Sequence, residues 1–277
     1  KQITRAMKLV STAKLRRAQE AALSGRVFGE KLQNALARVC LDFPGGSGHP
    51  LLSAREEVRT RRVIAVAADR GLCGAFNVSV FKEVRACETD PGVVLETVAL
   101  GRKMTTMMRR IEGRSISDYE NLGEDIVMWP LAEIAEKSMA DYTAGGCDEV
   151  VLYYTKFASL VSQQVVREVV LPVSLLPAGE NQASALEFEL MRSMTGYDPE
   201  PEQLFSYLLR LAVVTKLRQA ALDSKASEHA ARMRAMDSAT RNADELIGKL
   251  RLYYNRARQR AITLELIDIV GGAEALK

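Results

Sequence analysis

From Glu202 to residue 277 the chain contains no proline, and between Phe205 and Val270 its only glycine is Gly248. Proline and glycine are the residues that end helices, so their scarcity predicts one helix running through almost the whole stretch. No window of 18 or more apolar residues occurs, which rules out a helix long and apolar enough to cross a membrane. The four cysteines, Cys40, Cys73, Cys87 and Cys147, form no CxxC pair, and only two histidines, His49 and His229, are present. That pattern argues for free thiols in a reducing compartment and against a zinc site. The opening residues KQITRAMKLV are basic and amphipathic, without the apolar core and cleavage site of a secretory signal. The first residue is not methionine, so the chain is expected to start inside a longer one.

Within the breaker-free stretch, small and apolar residues recur on a four-three spacing: Ala226, Ala230, Met233, Thr240, Ala243, Ile247, Leu250, Tyr254, Ala257, Ala261 and Leu264, with Asp237 the one polar interruption. This is a heptad seam spanning about 58 Å at ~1.5 Å per residue, longer than a domain of this size is wide. The helix is expected to project and to need a partner for its stripe. The chain's own start offers one: Ile3, Met7, Val10, Ala18, Ala22, Phe28, Leu32, Leu36 and Val39 follow a similar spacing over residues 1–41. Gly25 and Gly29 make a bend plausible there. Paired antiparallel, the two would form a thin, alanine-rich rod; the plainer alternative is a helical hairpin lying on the rest of the molecule.

Between the rods, Arg62–Ala68, Val93–Leu100, Glu149–Thr155 and Gln164–Val173 read as buried strands, with a weaker strand near Ile126–Met128. Asn77–Cys87, Arg102–Ile111 and Leu131–Thr143 read as helices. The expected fold is α/β: a long antiparallel coiled coil of the terminal helices plus a small Rossmann-like, mostly parallel domain over residues 60–176. Residues 42–59 make one linker, 177–201 a linker or foot, and 202–277 the second rod helix.

Net charge is +3, unevenly spread. Residues 1–40 hold nine Lys/Arg against two acids and 216–260 eleven against five, so these segments sum to +13 and the remainder to −10. A basic rod on an acidic body implies an acidic partner, nucleic acid among the candidates, or simply a solvated helix face. The turn after the first strand, AADRGLCGAFN over Ala67–Asn77, is a strand–glycine–helix arrangement able to hold a phosphate on helix amides, although it matches neither GxGxxG nor GxxxxGK[ST]. Cys73 there would need a base to act as a nucleophile, and neither histidine is near in sequence; the bland reading is a structural turn. Asp237, Asp244 and Glu245 fit surface ion pairs, His229 beside Glu228 fits a helix surface, and Trp129 before Pro130 fits packing at a strand end.

Three motifs, ITRAMKLVSTAKLRRAQ (Ile3–Gln19), DRGLCGAFN (Asp69–Asn77) and the long run from Ser224 to Leu276, closely resemble the gamma subunit of the F-type rotary ATP synthase, and their order extends the resemblance over essentially the whole chain. The resemblance implies a non-catalytic shaft inside a ring of three alpha and three beta subunits. It would couple proton flow to ATP synthesis, with epsilon, delta and the c-subunit ring as further partners and no nucleic acid among them. ATP, ADP and magnesium would be bound by alpha and beta, with no cofactor on this chain. Met7 and Lys8 would face a beta-subunit lever, Arg258 and Gln259 would form a catch on a beta-subunit loop, and Thr263 with the apolar tip Ile267–Leu276 would sit in a bearing. Tyr197 and Glu202 would approach the membrane ring. Such proteins usually carry about twenty more residues before the first motif. Ala68 and Arg260 are mild departures, and no cysteine pair lies between 170 and 200, unlike the chloroplast form. The cytoplasmic face of a bacterial plasma membrane is the expected location, with an organellar source as the alternative.

Overall fold

The computed structural model describes residues 1–42, 48–87, 92–111, 115–174 and 200–274. Helix α1 covers Gln2–Asp42 and the last helix, α5, covers Pro201–Glu274, 74 residues without interruption. Between them lie β1 (Thr60–Val66), α2 (Phe76–Ala86), β2 (Val94–Leu100), α3 (Arg102–Met108), β3 (Ser115–Tyr119), α4 (Leu131–Thr143), β4 (Glu149–Phe157) and β5 (Gln163–Leu171).

The sheet has the order β3-β2-β1-β4-β5, parallel throughout except for the antiparallel edge pair β4 and β5. Its central strands are apolar on both faces because both faces are covered. Ile64, Val66, Leu100 and Leu152 pack with α4 residues Leu131, Ile134 and Tyr142 and with Val213, Leu217 and Ala220 of α5. On the other face, Val63, Ala65, Ala99 and Val151 pack with Val80 and Val84 of α2 and Met104 and Met108 of α3. The rod is therefore part of the domain's own core layer.

Three departures from the sequence reading have local causes. Ile126–Met128 is a turn of 3-10 helix, not a strand, because Asp125 caps it through the Val127 amide and Trp129–Pro130 follows at once. Trp129 accordingly packs after that turn rather than at a strand end, and it is buried in the domain core. Strand β3 went unread because SISDY is a five-residue edge strand with no apolar run.

The two long helices run antiparallel: Lys1 pairs with Asp244, Lys8 with Asp237 and Arg26 with Asp223, while Leu36 and Val39 pack on Phe205 and Leu209. On α1 the seam is narrower than its apolar spacing suggested. Ser11, Leu15, Ala22, Leu32, Leu36 and Val39 are buried, whereas Ile3, Val10 and Phe28 are more than half exposed. Helix α1 runs unbroken through its glycines. A Cβ on Gly25 would stand 2.3 Å from Gln219 Oε1 and 3.1 Å from Leu222 Cδ1, so the bare position makes room for these two side chains of α5.

Gly101, between β2 and α3, has φ +96°, and a Cβ there would fall 2.3 Å from the Ala67 carbonyl oxygen. Backbone cannot step aside as the end of a glutamine can. Gly101→Ala is expected to destabilise by on the order of 3 kcal/mol through strain and overpacking. Gly25→Ala, where a gain in helix propensity of about 1 kcal/mol offsets moving Gln219, is expected to be near neutral. Urea unfolding of both variants checks the contrast, and equal losses would contradict it.

Candidate functional site

The DRGLCG turn is built around Asp69. Its Oδ1 accepts from the amides of Arg102 (2.9 Å) and Asn121 (3.1 Å), and its Oδ2 from the amide of Leu122 (2.9 Å). One carboxylate thus ties together the loops that follow β1, β2 and β3. Asn77 closes the turn from the helix side, accepting from the Ala68 amide at 2.9 Å and donating to Cys73 Sγ at 3.1 Å. Leu72 is held in the left-handed region, φ +62°, with its side chain exposed.

From the rod, Arg232 grips this turn. Its guanidinium donates to the carbonyls of Gly71 (3.3 Å) and Arg70 (3.4 Å) and pairs with Glu228 at 2.8 Å; Lys225 also meets Glu228, at 3.2 Å, and lies 5.7 Å from the Trp129 ring centroid. His229 Nε2 is 3.0 Å from Glu124, which also takes Lys14 of α1 at 2.7 Å. The hydrogen bond from His229, helped by Lys14 and Lys225 and opposed by burial, holds the Glu124 carboxyl well below the usual carboxylate range. Glu228 and His229 are only 4% and 3% exposed. They are an internal polar stripe, not the helix surface that the sequence suggested. Neither Arg232 nor Glu124 stood out in the sequence, because a stripe at 225, 228, 229 and 232 reads the same whether it faces water or a loop.

Burial pushes the Cys73 thiol up, against a smaller opposing pull from Arg232. Its polar contacts are Asn77 and the Arg70 carbonyl, with no base among them. His49 packs edge-on to Phe205, 6.0 Å between centroids, and His229 is committed to Glu124. Among the described residues no cluster of three or more His, Cys, Asp or Glu suits a metal ion.

The candidate partner-binding residues are strung along the rod rather than gathered. Lys8 meets Asp237 at 2.5 Å, and this hydrogen bond keeps the Asp237 carboxyl below its ordinary value; Met7 beside it is half-buried. Asp244 pairs with Lys1 and Glu245 with Lys249, so the acidic residues of this stretch do form surface ion pairs. Past Asp244, α5 has no neighbour among the described residues. Every residue from 244 to 272 is exposed, including Leu250, Tyr253, Tyr254, Leu264 and Ile267. This bare length from 245 to 272 is about 42 Å at ~1.5 Å per residue. Arg258 and Gln259 stand on it, about 32 Å beyond Asp237 by the same rise. Thr263 donates its hydroxyl to the Gln259 carbonyl at 2.8 Å. Glu202 is exposed at the opposite end of α5, and Tyr197 lies outside the described residues.

Removing one partner of a buried, hydrogen-bonded ion pair strands the other charge. Arg232→Ala is therefore expected to destabilise the chain by about 3 kcal/mol, and Lys8→Ala, at a solvated pair, by less than about 1 kcal/mol. Urea unfolding measures both, and a near-zero effect of Arg232→Ala would show that the turn stands without the rod.

The sequence model described as ATP synthase matches residues 1–276. The ATP synthase gamma chain of Heliobacterium modesticaldum is 42% identical over 275 residues, covering 99% of this chain and 93% of the relative; that of Desulforamulus reducens is 42% identical over 279 residues, covering 100% and 94%. Among solved structures, a chain of the Tetrahymena thermophila mitochondrial ATP synthase central stalk and c-ring matches with TM-score 0.60 and 23% identity, over 86% of this chain and 99% of that one. A chain of the Euglena gracilis mitochondrial ATP synthase matches with TM-score 0.52 and 16% identity, over 98% and 95%. A bare basic helix anchored in an α/β domain, with relatives above 40% identity along its whole length, places the chain in the ATP synthase gamma chain family.

Proposed function

We propose that this chain is the central shaft of an F-type ATP synthase and is itself non-catalytic, turning inside a ring of three alpha and three beta subunits. The observation that carries the reading is the bare half of α5. A helix with Leu250, Tyr254, Ile262 and Leu264 exposed between Arg251, Arg256, Arg258 and Arg260 suits the inside of a partner assembly better than water. The basic residues alternate with apolar ones around the helix, so a ring lined by both apolar and acidic groups matches it. This mixture, together with family membership, leaves the nucleic-acid reading without support.

In this reading the α/β domain stays outside the ring as the handle, near the membrane ring and the epsilon subunit, with delta a further member of the complex. Glu202 and Tyr197 at the foot of α5 approach the c-subunit ring. Met7 and Lys8, one to two turns from the start of α1, press against a beta-subunit lever. Further along, Arg258 and Gln259 catch a beta-subunit loop, the guanidinium being suited to bidentate hold on a carboxylate. Thr263 and the tip turn in an apolar bearing. Nucleotide and magnesium belong to alpha and beta, and the shaft does its work by pressing packed surfaces against them. Proton flow turns the foot, and the stiffness of the rod carries that rotation to the catalytic sites. The assembly places the chain peripherally on the cytoplasmic face of a bacterial plasma membrane.

Arg258→Ala should leave the fold intact, since the side chain is exposed in the free chain. Within the assembled complex it should lower ATP synthesis about tenfold, the loss of a charge-assisted bidentate contact. ATP synthesis in reconstituted vesicles under an imposed proton gradient makes the measurement, and synthesis at the parental rate would remove Arg258 from the catch.

A further inference from the structure

A cavity of about 380 Å³ lies between α2, the β4–β5 hairpin and the rod, walled by Gly74, Phe76, Thr155, Val165, Arg234 and Ala235. It sits outside the carboxyl end of β4, where the strand order turns from β2-β1 to β4, the place at which open α/β sheets bind ligands. Three features converge there. Helix α2 starts at the cavity with Ala75 as N-cap and no side-chain cap, so the positive end of its dipole lies at the space, with the Phe76 amide itself bonded to the Cys73 carbonyl at 3.3 Å. Thr155 is 5% exposed, and its Oγ1 has no hydrogen-bond partner. Val151 and Tyr153 of β4 point toward the α2 and α3 layer, so the two-residue period turns Thr155 the same way, into the cavity. Its carbonyl, by contrast, is satisfied by Ser227 Oγ at 3.0 Å. On the rod side, Arg234 spends one Nη1 and one Nη2 contact on the Val161 carbonyl and Gln163 Oε1, and its guanidinium holds further donors.

The charges around the space favour an anion. Cys73 in its wall is held toward the thiol form by burial, and Glu228, whose charge reaches Cys73, is already paired with Lys225 and Arg232. Of the lining side chains, the Thr155 hydroxyl and the remaining Arg234 N–H groups can donate, as can the hydroxyl of Ser79.

We propose that this cavity is a binding site for a small phosphate, either inorganic phosphate or the phosphate of a mononucleotide, seated on the N-terminus of α2 and held by Thr155 and Arg234. A phosphate there bridges the α/β domain to the rod, since Arg234 belongs to α5 and Thr155 to β4. The proposal concerns the chain alone and stands apart from the shaft reading.

Calorimetric titration of inorganic phosphate into the full-length chain, with chloride holding ionic strength constant, should show saturable binding at one site per chain. Both Thr155→Val, which keeps the shape and removes the hydroxyl, and Arg234→Gln should weaken it about tenfold, and Arg234→Lys should recover part of the loss. Circular dichroism confirms that each variant is folded, and the exposed position of Arg234 keeps that arm informative if Thr155→Val is not. Competition by AMP assigns the phosphate to a nucleotide; its failure to compete assigns it to the inorganic ion. Absence of saturable binding, or binding that both variants leave unchanged, overturns the site.

Discussion

Everything in this molecule depends on α5 remaining one helix. After its first residue, Pro201, it meets no further proline, and Gly248 is its one glycine before the last turn; a regular helix cannot turn back to cover its own stripe. Its first half solves the problem twice, giving Val213, Leu217 and Ala220 to the sheet and Ala226 and Ala230 to α1. Its second half has the same periodicity and no such cover. The bare stripe is thus the direct outcome of helix continuity, and a family of rotary ATP synthase subunits is a setting in which an uncovered helix has a use.

A shaft is only as good as its attachment to what turns it. The domain is fixed to the rod by apolar packing, which resists separation but is indifferent to small rolls. The buried ions resist rolling. Arg232 reaches two carbonyls of the Asp69 turn, Glu228 holds Arg232 and Lys225 together, and His229 and Lys14 converge from both helices on Glu124. Such pairs are costly to bury and contribute little net stability, but their directionality fixes one rotational setting of the rod. Asp69 then passes that setting to the ends of three strands through a single carboxylate.

The large features were legible because they are written in periods and breakers. The heptad seam from Ala226, the strands around Ile64, Val98 and Leu152, and the glycine turn before α2 all appear where composition and spacing put them. What escaped depends on tertiary context. SISDY becomes a strand only because β2 offers its edge, and Asp125 with Pro130 tightens IVM into a 3-10 turn that its apolar residues alone do not predict. Gly25 looked like a weak point and is a position where α5 side chains Gln219 and Leu222 fill the space a Cβ would take. Glu228 and His229 looked solvated because a polar stripe carries no sign of whether its partner is water or a loop. The candidate contact residues Arg258, Gln259 and Thr263 came from motif resemblance; on the bare helix nothing in their local geometry separates them from their neighbours.

The most direct test of the account is rotation itself. With the complex of alpha, beta and this chain fixed to a surface through its beta subunits, a bead is attached to a cysteine introduced at exposed Met128 of the α/β domain, and ATP is added. Sustained rotation of the bead in one direction, in steps tied to ATP hydrolysis, is the predicted result. Steady hydrolysis with a stationary bead, in complexes shown to contain this chain, would contradict it.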